Sequence, residues 1–512
     1  MVNTRAGGDA PFLLVRAHQV LANLEAGAWP ARWMPDAAYG LGYPALHYYA
    51  ALPYYLAALL ARAGLGLLGG LQVTQALGFL LAGWGAYALA RAMGAGGAGA
   101  LLASAAYSLA PFHLVNVYVR GDALSEFTAM GLLPVALWAA TILCQRPSGA
   151  RVALLGGSYA LLIVSHNITA LVSSPLLVAW LLAQVLERPA PERRRALILG
   201  AAALGLGLLL SAWFWLPALG ERALVQLDAQ TTGYLHFGGH FRAGDLVQLR
   251  WLHDYTMDGA REPFAMGLAQ AALGLAGLGA LVARRARGRR LGPTWALAAL
   301  ALVGYTWLIT PWSRPVWERL PLLAYAQFPW RLLAVQALLL GLVAAQLAEV
   351  AGARLRLGVA LAGAALLAVA GLGALRLDRL PLRAGDVTPE RLMLYETYSG
   401  NIGATIRHEY LPREMVPRPY ASAVQLYGAK PAPLALEGAL TEARLLGETA
   451  TGEAWQLDLA EPSLLAFHTA YWPGWGAVVD GQAHAIEPLP GLGLIGLRLE
   501  AGVHQVRLRL GP

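Results

Sequence analysis

The residues able to do chemistry fall in short polar strings set among long apolar runs. The first is Asp9 in GGDAPFLLVRAHQVLANLEAGAWPARW. A carboxylate there can serve as a general base, and it equally suits the N-cap of the amphipathic helix that follows, with Pro11 in the first turn. The second is Tyr118-Val-Arg120-Gly-Asp122-Ala-Leu-Ser-Glu126, which puts three charged side chains between two apolar spans, where a minimal connector needs none. Its carboxylates fit a base or a metal-holding role, and Arg120 fits a phosphate or an internal ion pair. A solvated loop with a capped helix uses the same residues. The third, Ser165-His166-Asn167-Ile168-Thr169, lies between two closely joined helices and also reads as a polar turn. The fourth is Tyr325-Ala-Gln327-Phe328-Pro329-Trp330-Arg331, where Arg331 opens an apolar run and either snorkels or meets an anionic partner. The long segment 218–262 carries Glu221, Asp228, His236, His240, Asp245, His253, Asp254 and Asp258. Their spacing matches no standard zinc pattern, so it reads as a polar, partly ordered lid.

The elements that must position these groups are membrane helices. Hydrophobic residues make up 57% of the 512 and charged ones only 13%, against roughly 25% charged in a soluble protein. Apolar stretches of about 18 residues or more, long enough for ~30 Å of hydrocarbon, recur along the chain. They predict about ten transmembrane helices near 71–92, 97–117, 126–145, 151–168, 169–187, 195–217, 263–283, 292–311, 330–350 and 355–376. The run 43–66, with Pro44, His47, Pro53 and clustered tyrosines, reads as an interfacial helix. The net charge of +8 sits in the gaps between apolar runs, as at Arg284, Arg285, Arg287, Arg289 and Arg290, which orients a membrane protein and argues against nucleic acid. With Glu126 outside, Arg91, Arg146, Arg151, Arg188, Arg193, Arg194, Arg195, Arg354 and Arg356 all face the cytoplasm. The single cysteine, Cys144, excludes an intrachain disulfide.

Three domains follow from this layout. Residues 1–70 form an external catalytic-type loop with interfacial helices, 71–376 the transmembrane domain with its external loop 218–262, and 377–512 an external C-terminal domain. A β-sandwich is expected from about 433, where AWQLDLA, LIGLRLEAG and HQVRLRL alternate and Pro473-Gly474 and Asp480-Gly481 signal turns.

These strings together resemble the GT-C superfamily of membrane glycosyltransferases, and most nearly the bacterial integral membrane proteins called 6-pyruvoyl-tetrahydropterin synthase-related, a label that implies no pterin chemistry. The likeness rests on GDAPFLLVRAHQVLANLEAGAWPARWMPDAAYGLGYPALHYYAALPYY, SLAPFHLVNVYVRGDALSEF, SHNITAL, QFPWRLL, EYLPR and WPGWGAVVDG, in that order. It implies that Asp9 is catalytic or helps hold a metal, that Asp122 and Glu126 form a second acidic motif, and that Arg331 contacts a lipid-carrier phosphate. His166 would face the same site. The family's first helix and the helix that often follows the β-domain are not seen in this sequence, and a misplaced start or gene fragment is expected to explain it.

The resemblance further implies an inverting transfer of sugar from a polyprenyl-phosphate carrier to a glycan, lipid or protein acceptor at the outer face of the cytoplasmic membrane. Asp9 would be the base. Arg331, Arg120 or a divalent cation (Mg or Mn) on Asp9, Asp122 and Glu126 would meet the leaving phosphate. Two other classes are a non-catalytic glycan-binding scaffold, with Trp472 and Trp475 as stacking platforms, and a lipid-linked sugar transporter. The transporter would place charge near the bilayer midplane, whereas these spans carry theirs at the ends.

Overall fold

The computed structural model describes residues 4–5, 9–121, 123–258, 262–421 and 430–511. Each run expected to span holds a helix. After α1 (Ala10–Glu25) come α2 (Gly66–Ala92), α3 (Gly97–Ser108), α4 (Leu124–Gln145), α5 (Gly149–Ser165), α6 (Asn167–Leu186) and α7 (Ala190–Leu210). Beyond the 218–262 loop are α8 (Leu268–Ala286), α9 (Pro293–Leu308), α10 (Leu333–Val350) and α11 (Arg356–Leu372). Among the described residues, four helical runs are each long and apolar enough to cross a bilayer, and counting three bent pairs as single spans makes seven.

The bends share one end of the bundle. Gly97–Ser108 turns by 43° into Pro111–Val119, Ala190–Leu210 by 66° into Ala212–Gly220, and Pro293–Leu308 by 93° into Pro311–Arg319. Pro111 and Pro311 supply no N–H to continue the preceding helix, which accounts for two of the breaks. The α5–α6 turn at His166 and the start of α10 lie at this end too, so the chain builds a polar floor there.

Helices α4 and α10 form the centre, with 89% and 83% of their apolar windows buried. Without a hydrophobic drive between helices in lipid, close approach depends on small residues. A Cβ on Gly131 of α4 would lie 2.8 Å from the Gly78 carbonyl oxygen of α2, and one on Gly277 of α8 would lie 2.5 Å from that of Val343.

Residues 43–66 form short helices at Ala45–Tyr48 and Leu52–Leu60, the second running through a π-turn at Ala61–Leu65 into α2. Tyr43, Tyr48, Tyr54 and Tyr55 are buried in protein. The clustered aromatics thus have a packing role as well as any interfacial one.

The C-terminal region opens with α12 (Pro389–Ser399) and continues as β1 (Leu434–Glu437), β2 (Leu440–Thr449), β3 (Gly452–Leu459), β4 (Ser463–Ala470), β5 (Trp475–Val479), β6 (Gln482–His484), β7 (Glu487–Pro488), β8 (Leu494–Leu499) and β9 (Gly502–Leu510). Two antiparallel sheets result, ordered β6-β5-β9-β3-β2 and β7-β8-β4-β1. The expected turn at Asp480-Gly481 joins β5 to β6, both residues having positive φ. Alternation buries Trp455, Leu457 and Leu459 of β3 with Phe467 of β4, Leu497 of β8 and Val506 of β9.

That same apolar core takes in Phe12, Trp33, Tyr43 and Tyr54 of the first seventy residues. Trp33 meets Trp475 edge-on at 5.7 Å, and Ala470 N donates to Leu41 O at 2.7 Å. Trp472 and Trp475 are only 6% and 8% exposed, so neither is open to stack on a glycan. The polar tie is Glu396 of α12, which is buried and accepts from the N–H groups of Ala38 (3.0 Å), Tyr39 (2.8 Å) and Gly403. Ala38 and Tyr39 have φ of 54° and 59°, which turns successive N–H groups toward one carboxylate.

Two stability outcomes follow, read as melting temperatures in detergent. Glu396→Gln exchanges a carboxylate acceptor for an amide that can donate, and should cost about 1–3 kcal/mol. Gly131→Val should cost a similar amount through overpacking, while Gly279→Val, whose Cβ meets nothing within 4 Å, should leave the melting point in place.

Candidate active site

Asp9 occupies the N-cap position of α1, yet its side chain makes no capping hydrogen bond. Its Oδ2 instead lies 3.0 Å from Nη2 of Arg120, and its own N–H donates to the Arg120 carbonyl at 2.8 Å. Arg120 is presented by the π-turn Val115–Val119 that follows Pro111–Leu114, and Gly121 continues with φ of 72°. Nη1 of Arg120 donates to Glu126 Oε2 and to Asn116 Oδ1, both at 2.6 Å. Glu126, in the first turn of α4, is buried. Nε of Arg331 lies 3.7 Å from the same Glu126 Oε2. Nη1 of Arg331 donates to Gln327 Oε1 at 2.9 Å and to Ala326 O at 3.0 Å. The result is a charge chain, Asp9–Arg120–Glu126–Arg331, drawn from three distant stretches of sequence.

Burial works against the charge on Arg120, but Asp9 and Glu126 outweigh it and hold the guanidinium more firmly protonated than a free arginine. Aromatic rings floor the cluster. Trp330 stacks on Phe264 at 3.9 Å and on Phe328 at 4.8 Å. Arg120 sits 5.7 Å from the Trp330 centroid and Arg331 4.9 Å from that of Phe328, distances at which ring quadrupoles favour a cation. Glu126 Oε1 and Arg331 Nε are buried without a hydrogen-bond partner among the described residues.

His166 does two things. Its Nδ1 lies 2.8 Å from Thr169 Oγ1 and accepts from the Thr169 N–H at 3.3 Å, so it caps α6. It also lies within electrostatic range of Glu126, Arg331 and Arg120. Asp122 lies outside the described residues. Among those that are described, no three His, Cys, Asp or Glu side chains are placed to hold a metal ion. Asp9 and Glu126 both pair with the Arg120 guanidinium, and Asp122, the remaining carboxylate expected at a divalent ion, is the one outside the described residues. The loop histidines are separately engaged. His236 accepts from Gly238 N at 3.1 Å, and His240 Nε2 bonds Tyr234 O at 2.5 Å while its ring packs on Phe328.

The structure adds residues that the strings did not single out. Arg16 stands 4.1 Å over the Tyr49 ring and donates to Tyr54 Oη at 3.3 Å, and Asp9 acts on it electrostatically. It lies seven residues beyond Asp9, about two helical turns and so on the same face, which was a readable signal. Glu409 of the C-terminal segment accepts from Arg407 N at 3.2 Å, and burial pushes its carboxyl above the usual range while Arg16 acts on it electrostatically in the opposite sense. Nothing in EYLPR marked it.

Solved structures similar to this chain include ArnT from Cupriavidus metallidurans bound to undecaprenyl phosphate (15% identity, 78% of this chain and 64% of that one, TM-score 0.45). Others are the archaeal oligosaccharyltransferase AglB from Archaeoglobus fulgidus in complex with an inhibitory peptide and a dolichol-phosphate (13%, 72% and 51%, 0.44) and the arabinofuranosyltransferase AftD from Mycobacteria (21%, 73% and 25%, 0.44). The chain spans less than two-thirds of the length of each. No curated protein matches it. Residues 46–378, well over half the chain, match the family model of the 6-pyruvoyl-tetrahydropterin synthase related domain, described as a membrane protein, and the chain belongs to that family.

Proposed function

We propose that this protein is a membrane glycosyltransferase that moves a sugar from a polyprenyl-phosphate carrier to an acceptor hydroxyl with inversion, using Asp9 as base. The observation that supports this reading is the unequal exposure of the two carboxylates on Arg120. The Asp9 side chain is 25% exposed and that of Glu126 only 3%. A base must reach substrate, so Asp9 takes that role and Glu126 anchors the two arginines.

In this mechanism the acceptor O–H gives its proton to the Asp9 carboxylate as its oxygen attacks the anomeric carbon. The bond from that carbon to the carrier phosphate breaks, and the phosphate leaves on its lipid. The negative charge that develops there needs a fixed cation, which Arg331 and Arg120 supply without reorganising. His166 borders the site. The polyprenyl tail would lie in apolar grooves between helices, and the acceptor is a glycan, lipid or protein. The protein is then a GT-C-like, multi-pass protein of the cytoplasmic membrane with about ten spans. Its first seventy residues, its 218–262 loop and a C-terminal β-sandwich would stand on the outer face.

Transfer from synthetic polyprenyl-phosphate sugars by the purified protein tests the reading. Asp9→Asn should lower turnover by about 10²–10⁴-fold while still binding the carrier phosphate. Undiminished transfer in that variant rules out Asp9 as base. Arg331→Gln should weaken carrier-phosphate binding by roughly tenfold or more, the scale of one hydrogen bond to a charged group; unchanged affinity would remove Arg331 from the donor site.

A further inference from the structure

The opposite end of the bundle carries a cavity that the proposed reaction does not use. It lies one length of α5 away from His166, about 25 Å for 17 residues. Here α4 and α6 end and α5 and α7 begin, and Arg146, Arg151, Arg188, Arg193, Arg194 and Arg195 gather with only Glu187 and Glu192. Both carboxylates are taken. Glu192 pairs with Arg188 at 2.5 Å, and Glu187 Oε1 accepts from Thr294 N at 2.9 Å. Arg193 is turned back onto the carbonyls of Arg188 and Leu186. Arg194 and Arg195 have no carboxylate partner among the described residues.

Those two arginines line a cavity of about 450 Å³. Ser148 and Gly149 form part of the wall, and Ile198 and Leu199 contribute an apolar side. A Cβ on Gly149 would meet nothing within 4 Å, so that wall is bare backbone. Ile198 and the neighbouring Leu197 are exposed along α7, which continues the apolar side into the region of the acyl chains. Two unpaired guanidiniums beside an aliphatic strip, at the end of apolar helices, are complementary to a phosphodiester carrying acyl chains. A free phosphate would use only the arginines.

We propose that this cavity binds the headgroup of an anionic phospholipid, with Arg194 and Arg195 on the phosphate and Ile198 and Leu199 against the first part of an acyl chain. Basic pockets between membrane helices recognise lipid headgroups by this combination of charge and apolar contact. The site stands apart from the glycosyltransferase reading, since it requires only a membrane protein.

The test is native mass spectrometry of the delipidated full chain titrated with phosphatidylglycerol or phosphatidylcholine in detergent. Wild type should retain phosphatidylglycerol in preference to phosphatidylcholine. The double variant Arg194→Gln/Arg195→Gln should bind phosphatidylglycerol about 30-fold more weakly, near fivefold for each arginine. Ser148→Glu, which puts a negative charge in the cavity, should also expel it. Arg289→Gln/Arg290→Gln, at the same end but outside the cavity, should bind as wild type does. Equal loss in that control pair would show general surface charge and overturn the site. So would equal retention of phosphatidylcholine, or displacement of the lipid by millimolar inorganic phosphate.

Discussion

Arg120 is held between two carboxylates that come from different parts of the chain, and the polar end of the bundle is arranged around that contact. Asp9 brings the start of α1 to it, and Glu126 brings the first turn of α4. Glu126 then reaches Arg331 at the start of α10. A charge buried at the end of an apolar bundle is tolerated only when paired. Leaving out Glu126 strips Arg331 of its carboxylate and Arg120 of its buried one, whereas Arg120 keeps Glu126 when Asp9 is lost. The need to satisfy Arg120 therefore joins a loop, a turn and two helices at one place, and the ring stack of Phe264, Trp330 and Phe328 fills the space beneath.

The first seventy residues are held to the site from the other side as well. Their rings share an apolar core with the C-terminal sheets, and Glu396 gathers the N–H groups of the turn at Ala38-Tyr39. Asp9 is thus positioned by the membrane bundle through Arg120 and by the C-terminal region through the body of the loop. Arg16, on which Asp9 acts electrostatically, also acts on the buried Glu409 of that region. On the proposed reading of Asp9 as base its loop needs such support, because a displacement of about 1 Å can cost on the order of 100-fold in rate.

The helices were legible because a run of apolar residues long enough to cross hydrocarbon has few other uses. The sheets were legible from alternation and from the turn at Asp480-Gly481. The bends after α3 and α9 were marked by Pro111 and Pro311, whereas the 66° turn at the end of α7 begins at Ser211 with no proline. Of the site, Asp9, Arg120, Glu126 and Arg331 stood out because charge at the border of an apolar run is costly and calls for a reason. Their mutual pairing did not, since residues 9, 120, 126 and 331 carry no sign of which meets which. Arg16 was readable from its seven-residue spacing from Asp9, although one arginine in an amphipathic helix looks ordinary by type alone. The role of Glu396 was invisible because its partners are backbone N–H groups, which every residue but proline has.

The central claim is that the two carboxylates on Arg120 divide the work, Glu126 anchoring the structure and Asp9 remaining accessible for chemistry. Melting temperatures of Asp9→Asn and Glu126→Gln, measured side by side in the same detergent, test it most directly. Glu126→Gln should be strongly destabilising, on the scale of about 3–5 kcal/mol for a buried pair that loses one partner, and Asp9→Asn should lie within about 1 kcal/mol of wild type. An Asp9→Asn protein as unstable as Glu126→Gln, or a Glu126→Gln protein as stable as wild type, would contradict that division.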